Sequence, residues 1–379
     1  MHVKIFLWSY IITAASLVVA FLYGSWSAVV LCAILGILEV SLSFDNAVIN
    51  ATILERMSEF WQKMFLTVGI VIAVFGMRLL LPLLIVYFAA GLPPVEAFQL
   101  AMNPPADDAA YFPDGSPSYE TLLTDAHPII AAFGGMFLLM LFLNWLFEEK
   151  EHTWLTWLEK PLAKAGRLDS MAILVACLLL LVVSETLAED AETVLFAGLL
   201  GLVVYLAVNG LGAFFENAEH VGEGSAEAPE TDVDHEQRRS GGPTKLAKAT
   251  GKAGFFLFLY LEVLDASFSF DGVIGAFAIT SDPIIIALGL GLIGAMFVRS
   301  LTVYLVRKGT LSEYVYLEHG AHWAIGALAV ILMISIGVHI SEFITGLLGV
   351  AFIGAALWSS IRRNSRLRAR GEEVGTVHA

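Results

Sequence analysis

The sequence predicts an all-α, polytopic membrane protein of about ten transmembrane helices, built as an inverted-topology repeat. Three observations lead to this prediction: an apolar composition, a one-sided distribution of basic residues, and an acidic motif that occurs twice. Of the 379 residues, 58% are hydrophobic and only 15% are charged, whereas soluble domains carry about 25% charged residues. The net charge of -15 argues against a nucleic-acid partner, and both cysteines lie inside apolar runs, so no disulfide framework is expected.

Apolar windows long enough to cross a bilayer follow one another along the chain. The first begins after Lys4 and is longer than the core of a signal peptide, so we expect a retained anchor helix. The predicted domains are an anchor over 1–24, a first membrane half over 25–215, a cytoplasmic linker over 216–252, a second membrane half over 253–362 and a cytoplasmic tail over 363–379. The predicted spans lie near 5–23, 27–54, 64–90, 128–147, 171–187, 192–212, 254–280, 283–306, 322–338 and 343–361.

The positions of Lys and Arg predict the orientation. With the N-terminus in the cytoplasm, nineteen of the 21 basic residues fall in cytoplasmic segments, and the other two, Arg78 and Arg299, lie within spans. Such a bias is typical of the positive-inside rule. We therefore expect a multi-pass protein of the cell's inner (plasma) membrane with both termini in the cytoplasm. Segment 91–127, which has no Lys or Arg, is predicted to lie outside.

An acidic motif occurs in both halves of the chain. The run from Glu39 to Asp45 and Asn46 aligns without a gap with the run from Asp265 to Asp271, with acid, Ser, Ser, Phe and Asp at identical offsets. One arginine follows each copy in the next span. Under the predicted orientation the two copies cross the membrane in opposite directions, and inverted repeats of this kind place a shared site near the bilayer midplane.

Carboxylates in the bilayer need compensation, because each costs about 2.5–3.5 kcal/mol on insertion scales. Protonation, pairing with Arg78 and Arg299, or a bound cation would each supply it. An oxygen-rich set of this kind suits a hard divalent cation such as Mn²⁺, Ca²⁺ or Mg²⁺. The predicted metal ligands are Glu39, Asp45, Asn46, Glu262, Asp265 and Asp271, with Arg78 and Arg299 as counter-ions or gating residues and Ser41, Ser43, Ser267 and Ser269 in support.

The spacing within each motif predicts an irregular backbone. Acids six residues apart, such as Glu39 and Asp45, point about 120° apart on a straight helix. We therefore expect a kink or partial unwinding in both copies, made easier in the second by Gly272 and Gly275. Elsewhere, Glu318, His319 and His322 are expected at a solvated helix end.

The two motifs resemble a known family. Glu39 and the run from Ser43 to Asn46 are similar to a signature of the TerC family, integral membrane proteins associated with tellurium resistance. Residues 262–283, which end in Ala-Ile-Thr-Ser-Asp-Pro, resemble a second stretch of that family. Because Gly272 stands where the family usually has Ser, this chain resembles a divergent subgroup, of the kind classed as a membrane domain of unknown function. The resemblance implies divalent metal transport, mainly Mn²⁺ export from the cytoplasm, or delivery of metal to exported enzymes.

The sequence therefore predicts a TerC-like exporter of a divalent cation, most favourably Mn²⁺, with proton exchange as one means of coupling. No nucleotide-binding motif of the Gly-x4-Gly-Lys-Ser/Thr type occurs, so no nucleotide is expected. Two other classes stay open. One is a membrane scaffold of a metal or tellurite stress-response complex, recruited through the linker. The other, an intramembrane aspartyl protease using Asp45 and Asp271, is disfavoured because neither aspartate has a Gly-x-Gly-Asp context.

Overall fold

The computed structural model describes residues 2–105, 109–150, 152–166, 170–223, 249–277, 280, 282–308, 313–338, 340 and 342–370. Within these ranges the chain is helical, with no β-strand and only isolated β-bridges, which confirms the all-α prediction. The helices are α1 (His2–Leu42), α2 (Phe44–Glu55), α3 (Glu59–Val71), π1 (Ile72–Leu80), α4 (Leu81–Ala90), α5 (Pro94–Met102), α6 (Tyr119–Asp125), α7 (His127–Phe147), α8 (Thr156–Ala165), α9 (Met171–Thr186), α10 (Ala191–Glu223), α11 (Gly251–Phe277), α12 (Pro283–Ile286), π2 (Ala287–Gly294), α13 (Ala295–Lys308), α14 (Leu317–Ser335) and α15 (Glu342–Ala369).

Six helical runs in the described residues are long and apolar enough to cross a membrane. Large apolar side chains on the outer helices are exposed, for example Leu22 at 79% and Phe196 at 71%, as a lipid-facing surface requires. The chain is thus a polytopic helical membrane protein, whereas the count of ten crossings and the orientation stay predictions. The six runs are Ile5–Val40, Glu59–Met77, His127–Phe147, Ala191–Leu211, Pro283–Val306 and Leu317–Ser335.

Helix α1 reverses direction at Gly24 and Ser25. Gly24 has φ -137° and ψ 22°, and Ser25 has φ 61° and ψ -154°, so neither residue is helical. Before this break, residues further along α1 contact earlier residues of the helical run 283–306, so the two are antiparallel. After the break, residues further along α1 contact later residues of that run, so the two are parallel. The two arms of α1 therefore match the separate spans predicted at 5–23 and 27–54. The contacting pairs are Ser9 with Met296, Tyr23 with Asp282, Cys32 with Gly289 and Glu39 with Gly294.

The helices of the two halves pack against each other reciprocally. Contacts between α11 and α3 ascend together along both helices, from Gly254 with Trp61 to Glu262 with Gly69, so these helices are parallel. Helix α2 runs opposite to α11, because Asn46 at its start contacts the middle of α11, whereas Met57, just past its end, pairs with Ala249, just before α11 begins. The first motif helix, which continues into α2, is therefore antiparallel to α11. The described backbone has the predicted inverted arrangement.

The backbone of the two motifs differs from the prediction. In the first copy, α1 ends at Leu42 and α2 begins at Phe44, with Ser43 between them at ψ 18°, so a local bend is present. In the second copy, α11 is one continuous helix from Gly251 to Phe277, and the predicted kink is wrong. Gly272 and Gly275 permit a bend but do not require one. The irregular backbone lies instead in π1 and π2, one in the helix that follows each motif.

The helices extend beyond two predicted boundaries. Helix α10 continues to Glu223, into the predicted linker 216–252, and residues 224–248 of that linker lie outside the described residues. Helix α15 continues to Ala369, into the predicted tail 363–379, whose residues 371–379 are likewise outside. Extending an existing helix costs little, so both helices continue for about two turns past these predicted boundaries.

A buried polar cluster covers the end of α14 that the sequence predicted to be solvated. His319 and His322 are buried, at 6% and 7% exposure, so that expectation is wrong for both. The reason is α8, which folds over this end and places Glu159 at 1% exposure. The Glu159 carboxylate accepts hydrogen bonds from the backbone N–H of Trp154 at 3.1 Å and from the Trp323 indole at 3.2 Å, and it lies 3.6 Å from the His319 ring.

Candidate functional site

The candidate site lies at the middle of α11. Asp265 is 14 residues from the first residue of this 27-residue helix and 12 from its last. Glu262 precedes it by three residues, and residues at this spacing share one face of a helix. Both side chains are buried, at 3% and 4% exposure. The sequence thus places two carboxylates together, half-way along a helix that is otherwise largely apolar.

The first motif contacts the second directly. The side-chain amide of Asn46 donates a hydrogen bond of 2.9 Å to Oδ1 of Asp265. Asn46 lies on the first turn of α2 and is itself buried, at 2% exposure. Residues 219 positions apart in the chain are therefore neighbours. The two motifs that the sequence predicted to meet do so through Asn46 and Asp265.

Arg299 brings a positive charge to the two acids. Its Nη2 lies 3.6 Å from Oε1 of Glu262 and 3.8 Å from Oδ2 of Asp265. Its hydrogen bonds go elsewhere, to the backbone carbonyl oxygens of Phe65 at 2.8 Å and Gly69 at 2.9 Å. Arg299 follows the second motif, whereas these carbonyls belong to the helix after the first. Both halves therefore build this site.

Three carboxylate oxygens in the site have no hydrogen bond within the described part of the chain. They are Oε1 and Oε2 of Glu262 and Oδ2 of Asp265, all fully buried. A buried carboxylate oxygen without a hydrogen bond is costly, because it has lost its water and gained no donor in exchange. A bound cation would coordinate such oxygens.

Glu39 occupies a separate position. Its Oε1 accepts a hydrogen bond of 2.8 Å from the hydroxyl of Ser43. The side chain packs closely on Gly294 of π2. Among the described residues, no three His, Cys, Asp or Glu side chains converge to hold a metal ion. Glu39 therefore does not complete a three-acid cluster with Glu262 and Asp265.

The other predicted site residues divide into two groups. Ser267 is described, but its hydroxyl donates to the carbonyl of Val263 in its own helix, and it faces Gly134 of α7 instead of the acids. The remaining residues have helical backbone, but their side chains lie outside the described part of the structure. These are Ser41, Asp45, Arg78, Ser269 and Asp271.

Asn50 and the backbone of α3 belong to the site, although the sequence motifs did not predict them. Asn50 is 1% exposed, and its Oδ1 is buried without a hydrogen bond in the described residues. It follows Asn46 by four residues, so both amides lie on one face of α2, and this spacing in an apolar helix was a usable signal. No side-chain pattern could have identified the Phe65 and Gly69 carbonyls, because every residue carries one.

The site combines two carboxylates, a side-chain amide and one guanidinium. Carboxylate and amide oxygens are hard ligands, which suit divalent cations that bind oxygen. The acids are held between helices of opposite halves, where inverted-repeat transporters bind their substrates. These oxygens could take up an ion or a proton without a covalent step.

The fold and the site define a class: an all-α, multi-pass membrane protein with a buried, charged contact between two halves of opposite direction. A family model described as a protein of unknown function, DUF475, matches residues 44–367. The chain belongs to that family. No curated protein and no solved structure matches it.

Proposed function

We propose that this protein is a secondary transporter that exports a divalent cation, most favourably Mn²⁺, from the cytoplasm. The observation that carries the proposal is the hydrogen bond between Asn46 and Asp265, which joins the two acidic motifs inside the membrane protein. If Glu262 had a purely structural role, its buried oxygens would be expected to accept hydrogen bonds. In the described residues they accept none. The resemblance of both motifs to TerC sequences supports the same substrate class.

The chemistry of transport follows from the acids. Ionised carboxylates bind the cation, and their protonation releases it, so a proton gradient is a suitable driving force. Pseudo-symmetric halves that move about a central site would expose it to each side in turn. The protein is thus proposed as a transporter and not an enzyme, in a bilayer of the plasma membrane, with metal and protons as its substrates.

The test is Mn²⁺ flux into sealed vesicles that contain the purified protein. Glu262→Gln and Asp265→Asn should each lower the flux at least about tenfold, because a neutral amide loses the charge that holds a divalent ion. Asp45→Asn and Asp271→Asn test the remaining motif acids in the same way. Glu189→Gln, which changes an exposed acid beyond the end of α9, is the matched control.

Two outcomes would contradict the proposal. One is Mn²⁺, Ca²⁺ and Mg²⁺ flux in the wild type no greater than in empty vesicles. The other is unchanged flux in all four motif variants. Loss of activity in the linker deletion 222–242, with the motif variants unaffected, would favour the scaffold hypothesis instead.

A further inference from the structure

Arg299 is anchored independently of the acids beside it. Both of its described hydrogen bonds go to backbone carbonyls of α3, those of Phe65 and Gly69. The guanidinium also lies 3.7 Å from the centre of the Phe65 ring, a favourable cation–π distance. The residue is 4% exposed. Since the backbone of the other half holds it, the guanidinium would keep its position whether or not a cation were bound.

The acids keep their ligand capacity in spite of this arginine. Its separations from Glu262 and Asp265, 3.6 Å and 3.8 Å, exceed hydrogen-bond length. Both acids still present buried oxygens without hydrogen bonds in the described residues. Arg299 therefore offsets part of their charge without occupying their oxygens. Because an arginine stays protonated at every accessible pH, the offset is constant.

We infer that Arg299 is a fixed positive charge that sets the affinity of the Glu262–Asp265 site, weakening cation binding so that the cargo is released. This role rests on the proposed function and specifies how that site is regulated. Transport requires binding that is strong enough for entry and weak enough for release. Two buried carboxylates without a counter-charge would hold a divalent ion too tightly for turnover.

The inference has a quantitative consequence. Coulomb energy is proportional to the charge of the bound ion, so the repulsion from Arg299 is twice as large for Mn²⁺ as for Na⁺. If replacing Arg299 raises the affinity for Na⁺ by a given factor, it should raise the affinity for Mn²⁺ by the square of that factor. A tenfold gain for Mn²⁺ thus corresponds to about a threefold gain for Na⁺. A structural effect on the shape of the site would not follow this rule.

The experiment is titration of the full-length protein in detergent with Mn²⁺, and with Na⁺ as a competitor. Arg299→Gln should bind Mn²⁺ on the order of tenfold more tightly and transport it more slowly, because release becomes limiting. Arg299→Lys, which keeps the positive charge, is the matched control, and its Mn²⁺ affinity should lie closer to that of the wild type than the affinity of Arg299→Gln does.

Several results would overturn the inference. Unchanged or weaker Mn²⁺ binding by folded Arg299→Gln would do so while leaving the proposed function intact, as would equal factors for Mn²⁺ and Na⁺. Wild-type protein that binds none of Mn²⁺, Ca²⁺ and Mg²⁺ would overturn both this inference and the proposed function.

If Arg299→Gln does not fold, a second comparison tests the inference. The double variant Arg299→Gln with Glu262→Gln, which removes one charge of each sign, is compared with Glu262→Gln alone. Equal Mn²⁺ affinity of those two proteins would likewise refute the role of Arg299.

Discussion

At the scale of single residues, two glycines allow a helix of one half to pack closely on an acidic side chain of the other half. A Cβ at Gly69 would lie 2.5 Å from Oε1 of Glu262 and 2.7 Å from Nη1 of Arg299. A Cβ at Gly294 would collide with the side chain of Glu39. Glu262 and Glu39 therefore each pack on a glycine of the opposite half. Small residues allow this close approach between helices in membranes, where packing drives association.

Gly69→Ala should lower the thermal stability of the protein in detergent, by about 1–3 kcal/mol, because the added methyl group overpacks a filled, charged contact. Gly76→Ala is the matched control in the same helical run. Among the described residues, its Cβ would meet only Cγ2 of Ile72 at 3.5 Å, an ordinary contact. Replacing glycine by alanine in a helix is otherwise favourable. The unfolding temperature should fall for the first variant and hold or rise for the second; equal shifts would contradict the packing argument.

At the scale of elements, the sequence predicted which segments are helical but not where the helices become irregular. Each motif was expected to bend, yet α11 is continuous and the π-helices follow the motifs. A π-helix arises from a small misfit between packed neighbours, which a single sequence does not encode in any residue type. Gly272 and Gly275 permit a bend without requiring one, so they do not predict where the backbone becomes irregular.

The buried end of α14 was also beyond sequence reasoning, because it depends on α8, which the sequence analysis did not place over it. Glu159 lies outside the motifs and spans that the sequence predicted. In the structure it is a buried acceptor for backbone N–H groups of Trp154 and Leu155 and for the Trp323 indole. Glu159 and the end of α14 are far apart in the chain, so no sequence pattern predicts that α8 packs over this end.

Glu159→Ala should destabilise the protein by about 1–3 kcal/mol, since it leaves the N–H donors of Trp154, Leu155 and Trp323 without their acceptor. The exposed Glu189→Ala should change stability by less than about 0.5 kcal/mol. Thermal unfolding in detergent separates the two variants. A similar loss in both, or in neither, would mean that the cluster around Glu159 is not a determinant of stability.

At the scale of the whole molecule, much of the architecture was predictable from composition and repetition. The apolar runs located the helices, and the gap-free match between residues 39–46 and 265–272 located both motif helices. What could not be predicted was which acids converge. Glu262 and Asp265 lie beside Arg299, whereas Glu39 packs on Gly294, because helix rotation and tilt depend on packing between many side chains.

The predicted orientation can be tested by cysteine labelling in intact cells, after replacement of Cys32 and Cys177 by alanine. Ser116→Cys, in the segment predicted to lie outside, should react with a membrane-impermeant maleimide. Ser365→Cys, near the C-terminal end of α15, should react only after the membrane is permeabilised. Both serines are exposed, so accessibility within the fold is matched. The reverse pattern would invert the assigned topology.

The reciprocal fit of acids on glycines also limits how the two halves can evolve. Repeats that arise by gene duplication are ordinarily free to diverge, since each copy keeps its own interior. Here a larger residue at Gly69 would clash with Glu262, and a larger residue at Gly294 would clash with Glu39. A mutation in one copy is therefore tolerated only if it fits the side chain of the other copy. Divergence at these four positions is expected only through compensating pairs of changes.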